Sequence, residues 1–450
     1  MQQTRNLLLL AALASGSSLI APAAAGGGSR ADAGPDPLCL WDATAPLRPR
    51  ARTSCPLPVD DASPTHIREG AVLTPLRCIR RQRNSNSNSN SRSGDGESKC
   101  IYSAPTFRGG GFSIATGAQT AANLLGMGGL DDLIAPATSP HLFSTGPTED
   151  VVGGGPAYEV QDIPGKGKGV IASRTIRRRE VFMVDYPLLM VEGALIEGMD
   201  LAGRRGVLQG LVAGLGDEGR GRMLALARSG GEDEAMDLFV TNGCGVEVWG
   251  RMHTGVFPEV ARMNHDCRPN AYFRFSPSTL TMEVLAYRDI QPGEEININY
   301  AYVGMPSKER QKFLRDTWSF NCTCPLCTSP PSVIAASDAR RHDIARKRIA
   351  LRKARKEGRH DDALGAAEGV LALLEEEEGL EALGPGFWGL LARELVELGR
   401  TEEALAWARR ALEGGRAFRG EDSGAVAEAE DLVRAVEREE RRMKGETTAK

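Results

Sequence analysis

Apolar and polar residues begin to alternate in short runs near Tyr158, and further along the chain they shift to helical spacing. Tyr158-Glu159-Val160 reads as a short strand, Gly165-Lys166-Gly167-Lys168-Gly169 as a turn, and Val170-Ile171-Ala172 as resumed extended chain. Arg177 to Glu180 is a second turn signal, followed by the strand Val181-Phe182-Met183-Val184. From about 195 to 240 the period becomes helical, with Leu208, Leu211, Leu215, Met223, Leu224 and Leu226 on apolar faces. Ala271 to Phe275 and Leu280 to Tyr287 alternate again, as two hairpin strands around Ser276-Pro277-Ser278.

After Pro331 the pattern is helical throughout. Gly358 and Gly399 each precede an Ala-Leu pair, Ala363-Leu364 and Ala404-Leu405, and Leu371 and Leu412 follow one heptad on. This recurrence is similar to tetratricopeptide-like helical hairpins, although its period of about 41 residues exceeds the usual 34 or so. A helical bundle without a repeat fits the same residues. Thr401-Glu402-Glu403 is expected to supply an N-cap and acids for the first turn.

Residues 26–153 carry little periodicity. An Asn-Ser repeat runs from Asn84 to Ser91, and glycine runs occur at Gly109-Gly110-Gly111 and Gly153-Gly154-Gly155. Such composition buries too little apolar surface to offset the ordering entropy, so a low-complexity linker or a weakly folded extension is expected. The first 25 residues read as a secretory signal peptide: Arg5 is the only early charge, Leu7 to Ala14 are apolar, and Ala23-Ala24-Ala25 resembles a cleavage context. An acid-free start that contains arginine also fits a mitochondrial presequence. If the stretch is only Ala-rich chain, a nuclear or cytoplasmic location follows.

A length of 450 residues favours two or three domains, and 41% hydrophobic with 25% charged residues is globular usage. The apolar stretches are too short to span a bilayer, so no membrane association is expected. A formal net charge of −4 gives no overall attraction to nucleic acid. The basic run from Arg340-Arg341 to Arg355-Lys356 alternates with apolar residues and is expected to be a solvated helix face. The nine cysteines fall into groups. Cys39, Cys55, Cys78 and Cys100 precede the periodic region and suit disulfides in a secreted chain. Cys322-x-Cys324-x2-Cys327 supplies three thiolates in one loop, where tetrahedral zinc needs a fourth ligand and disulfides are the competing outcome.

Three segments follow one another: Asn264-His265-Asp266-Cys267-Arg268-Pro269-Asn270, then Gly293-Glu294-Glu295-Ile296-Asn297-Ile298-Asn299-Tyr300, then the Cys322–Cys327 loop. In order and spacing they resemble the catalytic end of SET-domain protein lysine methyltransferases, and the layout is most similar to SMYD-type and related fungal SET proteins. The resemblance covers about 156–330. It implies an α+β chain with a β-rich SET fold at 156–301, a helical insert at about 195–240, and a post-SET zinc segment at 302–330. An all-α, tetratricopeptide-like domain at 336–445 follows, of the kind SMYD-type proteins carry.

The resemblance also implies site residues. S-adenosyl-L-methionine is expected at Lys166, Gly167, Lys168, Gly169, Met263, Asn264, His265 and Phe320, with Asn242 at a less clearly matched asparagine position. Glycine lets backbone approach a ligand closely. Tyr300 is the expected catalytic residue, and it also borders the cofactor. Methyl transfer to an amine needs a positioned hydroxyl in a dehydrated channel, and an ordinary tyrosine is neutral near pH 7, which disfavours a general-base role. Tyr272 and Tyr302 are candidates for lining the lysine channel. Cys267 is implied as the fourth zinc ligand beside Cys322, Cys324 and Cys327. Asp266 stands where the family often has serine, and it is expected on an exposed side. No MYND finger or pre-SET cysteine cluster is present in the sequence. The expected function is methyl transfer from S-adenosylmethionine to a lysine of a protein substrate, with further protein partners at the helical region. The alternative is a catalytically weak SET-fold scaffold.

Overall fold

The computed structural model describes residues 74–79, 99–126 and 156–445, apart from 198, 232, 302, 303 and 444. The expected leader at 1–25, the Asn-Ser repeat, Cys39, Cys55 and Tyr302 lie outside the described residues. Two compact units are distinguished: Met1–Phe143 with Asp185–Ala261 and Ser278–Leu280, and Ser144–Val184 with Arg262–Pro277 and Thr281–Lys450.

The first unit holds strands β1 (Thr74–Ile79), β2 (Lys99–Ala104), β3 (Phe112–Gly117), β7 (Leu189–Glu192), β8 (Gly243–Val248) and β9 (Arg251–Val256). They form one sheet in the order β1-β2-β3-β7-β9-β8, antiparallel except for β3 with β7. At 99–126 the chain is folded where a linker or weakly folded extension was expected. Strands β2 and β3 are buried along almost their whole length, with Ile101, Tyr102, Phe112 and Ile114 at most 2% exposed. A strand covered on both faces shows no alternation, and these lie between Ser- and Gly-rich stretches that hide them further. The helix Leu201–Ala213 approaches so closely that a Cβ on Gly210 would sit 2.8 Å from Ile101. Leu224, expected on an apolar face, is 54% exposed. Cys100 is disulfide-bonded, and the β1–β2 register places Cys78 opposite it.

The second unit holds β4 (Tyr158–Ile163), β5 (Gly167–Ala172), β6 (Val181–Asp185), β10 (Asn264–His265), β11 (Ala271–Ser276), β12 (Thr281–Ala286) and β13 (Glu295–Ile298). One sheet runs β10-β13-β5-β4 and another β11-β12-β6. Strand β10 pairs with β13 in parallel through Asn264↔Asn297 and His265↔Ile298, which brings two distant motifs side by side. Asn270 locks the crossing: its Oδ1 accepts from Asn297 N at 2.8 Å and its Nδ2 donates to Glu295 O at 2.9 Å.

Helices Pro331–Lys356, His360–Glu376, Gly384–Glu397, Thr401–Arg419 and Gly424–Met443 follow, around a core that includes Ile344, Leu364, Val370, Leu391, Leu395, Leu405 and Val436. Gly358 and Gly399 have φ of +68° and +72° just past helix ends, the position where only glycine is unstrained. Thr401 is the first helical residue instead of the cap; Arg400 precedes it, and no side chain caps the turn. The basic run is not wholly a solvated face. Arg341 is fully buried and pairs with buried Glu377 at 2.9 Å, and Arg340 reaches the same carboxylate at 2.7 Å.

Candidate cofactor and thiolate site

The glycine turn is built for close approach. Gly165 and Gly167 have φ of +75° and +76°, and a Cβ on Gly169 would lie 2.4 Å from Ile163 and 2.9 Å from Asn264 Nδ2. Because Gly169 has none, Asn264 Nδ2 donates to Lys168 O at 3.2 Å and to Glu295 Oε1 at 2.9 Å. Glu295 Oε2 takes the Lys166 ammonium at 2.6 Å, so one carboxylate ties the glycine turn to β10. Lys168 turns outward to Asp162 at 2.9 Å. Both lysines sit beside the turn but are engaged in protein ion pairs.

Tyr300 is held at both ends. Its hydroxyl donates to Met263 O at 2.5 Å, and its backbone N–H donates to His265 Nδ1 at 3.0 Å. Met263 is fully buried. Around the phenol stand His265 at 5.4 Å, Trp318 at 5.0 Å and Phe320 at 6.5 Å between ring centroids. Phe320 also lies 6.3 Å from His265. Trp318 was not anticipated; its place before the cysteine loop was the only signal. Burial pushes His265 down to about 3, so its imidazole is neutral at physiological pH. Asn297 Oδ1 and Asn299 Nδ2, in the segment leading to Tyr300, are buried without a hydrogen-bond partner.

The sulfurs of Cys267, Cys322, Cys324 and Cys327 lie within 4.8 Å of one another. Cys267 Sγ is 3.8 Å from Cys322 Sγ and 3.6 Å from Cys327 Sγ. Zinc–sulfur bonds of about 2.3 Å in a tetrahedron place sulfurs about 3.8 Å apart, so the donor set fits zinc. None of the four is in a disulfide. Hydrogen bonding among the thiols pushes Cys324 down to about 5 and drives Cys267 well up. The helix Ser307–Trp318 backs the cluster and brings Arg310 Nε to 2.9 Å from Cys267 Sγ.

Two candidate residues have partners within the protein, and the expected exposure of Asp266 changes. Asn242 belongs to the first unit, where its Nδ2 donates to Ala227 O and Leu238 O, both at 2.8 Å. Asp266 is half-buried, not exposed: its Oδ1 accepts from Arg268 N at 2.8 Å, and burial pushes its carboxyl up to about 7. Tyr272 packs on Tyr287 and Phe418 and donates to Ala417 O at 2.8 Å, which anchors the helix Thr401–Arg419 to β11. Glu295 and Asn270 stand inside the motifs and were legible as motif members only. Arg310 and Arg341 gave a fainter signal: Arg341 shares a helical stripe with Ser337, Ile344 and Leu351.

Residues 167–301 match the SET domain family. The chain carries a SET fold, with an all-helical C-terminal region and a cysteine cluster suited to zinc. N-lysine methyltransferase SMYD2 of Homo sapiens is 36% identical over 113 residues, covering 25% of this chain and 26% of that protein. Histone-lysine N-methyltransferase set5 of Schizosaccharomyces pombe is 39% identical over 92 residues, 20% of this chain and 29% of that protein. The chain thus matches well under a third of the length of either relative. The solved SET domain of LSMT bound to lysine and AdoHcy covers 63% of this chain and 87% of its own at 12% identity; its TM-score of 0.25 is too low to carry a conclusion.

Proposed function

We propose that this chain is an S-adenosylmethionine-dependent protein lysine N-methyltransferase. The observation that carries the reading is Tyr300, pinned through its hydroxyl to Met263 O and through its backbone to His265. When bound, the cofactor supplies an electrophilic sulfonium methyl group. The Tyr300 hydrogen is already given to a carbonyl, so its oxygen can only accept, and it orients an incoming lysine amine instead of protonating it. Phe320 and Trp318 exclude water from the approach. The Gly167–Gly169 backbone and Asn264 would receive the cofactor's polar end, and the unpartnered Asn297 Oδ1 and Asn299 Nδ2 would offer further bonds.

Zinc at Cys267, Cys322, Cys324 and Cys327 would staple the loop that carries Phe320 to the motif that carries His265. The C-terminal helices, read as tetratricopeptide-like hairpins, suit a protein-partner surface. The disulfide at Cys100 supports passage through an oxidising compartment, in keeping with a secretory leader. Among the described residues no helix is long and apolar enough to cross a membrane.

The test is incubation of purified protein with labelled donor and a broad peptide or proteome array. Label in lysine supports the enzyme. No incorporation, with saturating donor and zinc, replaces this reading with that of a scaffold.

A further inference from the structure

Arg310 is 1% exposed, yet no carboxylate pairs with it among the described residues. Its Nη1 donates to Met305 O at 2.6 Å, its Nε points at Cys267 Sγ at 2.9 Å, and its Nη2 is buried without a partner. Arg341, equally buried, is by contrast neutralised by Glu377 and donates to Cys267 O at 3.2 Å. A buried guanidinium without an anion is strongly disfavoured. Among the described residues, the groups facing Arg310 that can carry negative charge are the cysteines of the cluster. Four thiolates around one Zn²⁺ carry a net charge of about −2, which a site closed to water must balance.

We propose that Arg310 is the resident counter-charge of the cysteine cluster, a positioning residue that donates to Cys267 Sγ and sets how firmly zinc is retained. The inference rests on the zinc reading above and goes beyond it in naming what makes the metal stay. Outer-shell partners of metal ligands change affinity by roughly 10- to 100-fold. The guanidinium acts through charge, so it favours the metal-loaded state and is a liability in the empty one.

The experiment loads the full chain with zinc and follows its release to a chromogenic chelator, with thermal unfolding measured in the zinc-loaded and the reduced zinc-free forms. Arg310→Met should release zinc at least tenfold more readily than the unsubstituted protein. Zinc-free Arg310→Met should unfold no lower than the zinc-free parent, whereas the loaded variant should unfold lower than the loaded parent. Equal retention, or equal destabilisation in both forms, would overturn the inference and leave Arg310 a packing residue. If Arg310→Met does not fold, Arg310→Lys and Arg310→Gln decide: the lysine variant keeps the charge and should hold zinc more firmly, and equal release overturns the idea. A parent protein that retains no zinc defeats the metal reading itself, a result separate from parent retention with no effect of the variants.

Discussion

The backbone N–H of Tyr300 donates to Nδ1 of His265 at 3.0 Å, and the opposite nitrogen of that ring lies 3.4 Å from Cys267 Sγ. A neutral imidazole that accepts at Nδ1 carries its hydrogen on Nε2, directed at the sulfur. One ring therefore links the candidate catalytic tyrosine to the thiolate cluster, and its tautomer is set by the tyrosine's own backbone.

Tyr300→Phe keeps the ring and its aromatic neighbours but loses the bond to Met263 O. Stability should fall by about 1 kcal/mol, the net worth of one hydrogen bond. Methyl transfer should slow by roughly a hundredfold or more, on the scale of losing a preorganised contact. Rate assays beside thermal melts check the split; an unchanged rate would assign amine orientation to another group.

Gly169→Ala forces a Cβ into a space where Ile163 stands 2.4 Å away. Overpacking of this kind costs about 1 to 3 kcal/mol. It also pushes Asn264 off Lys168 O, so calorimetric binding of S-adenosylmethionine should weaken more than the melting temperature falls.

Zinc removal should loosen the post-SET loop. A strong chelator with reductant should lower the melting temperature and weaken cofactor binding together, because Phe320 and the ligand Cys322 lie on one short stretch. Cys324→Ser should reproduce both effects without chelator, and elemental analysis should show the metal gone. Cofactor affinity unchanged in zinc-free protein would uncouple the two sites.

Glu377 accepts from buried Arg341 and Ser337 and from Arg340. Glu377→Gln leaves a buried guanidinium uncompensated, which costs about 3 to 5 kcal/mol. Denaturant titration measures it, and a loss under 1 kcal/mol would mean that the arginine finds another anion or water.

Acid should remove the stability that neutral His253 gives the first unit. His253 is fully buried between Thr116 Oγ1 at 3.0 Å and Arg251 O at 3.0 Å, with Glu192, Lys99 and the Arg251 guanidinium nearby. Burial pushes it down from 6.5 to about 4. At this residue the folded form binds fewer protons than the unfolded chain, so its contribution to stability falls as pH drops from about 6.5 to 4, while buried Asp185, raised to about 7, contributes in the opposite sense. Although burial opposes it, bonding to Lys99 holds Glu192 below its usual range, so its contribution is lost in still stronger acid. His253→Gln should make the stability of β3, β7 and β9, followed by amide exchange, less sensitive to acidification across the upper window than in the parent protein.

The SET motifs were legible because their chemistry fixes residue type at fixed spacing: glycines where backbone must approach, cysteines where a metal must bind, a tyrosine after a turn. Strands β4, β5, β6, β11 and β12 were legible as short runs bounded by turn residues, whereas β7, β8 and β9 were not read as strands. Strands β2 and β3 were not, since burial on both faces erases the period, and neighbouring Ser- and Gly-rich stretches suggest a linker. Arg341 was read as solvent-facing because local charge pattern says nothing of a carboxylate 36 residues away. The sequence alone determined which groups the site contains, through motif chemistry and local periodicity. Tertiary structure alone decided that Tyr300 hangs on Met263 and His265, that Glu295 binds both Asn264 and Lys166, and that Arg310 meets the thiolates. These contacts join residues far apart in the chain, and which of them form depends on how the sheets cross and what the fold removes from water.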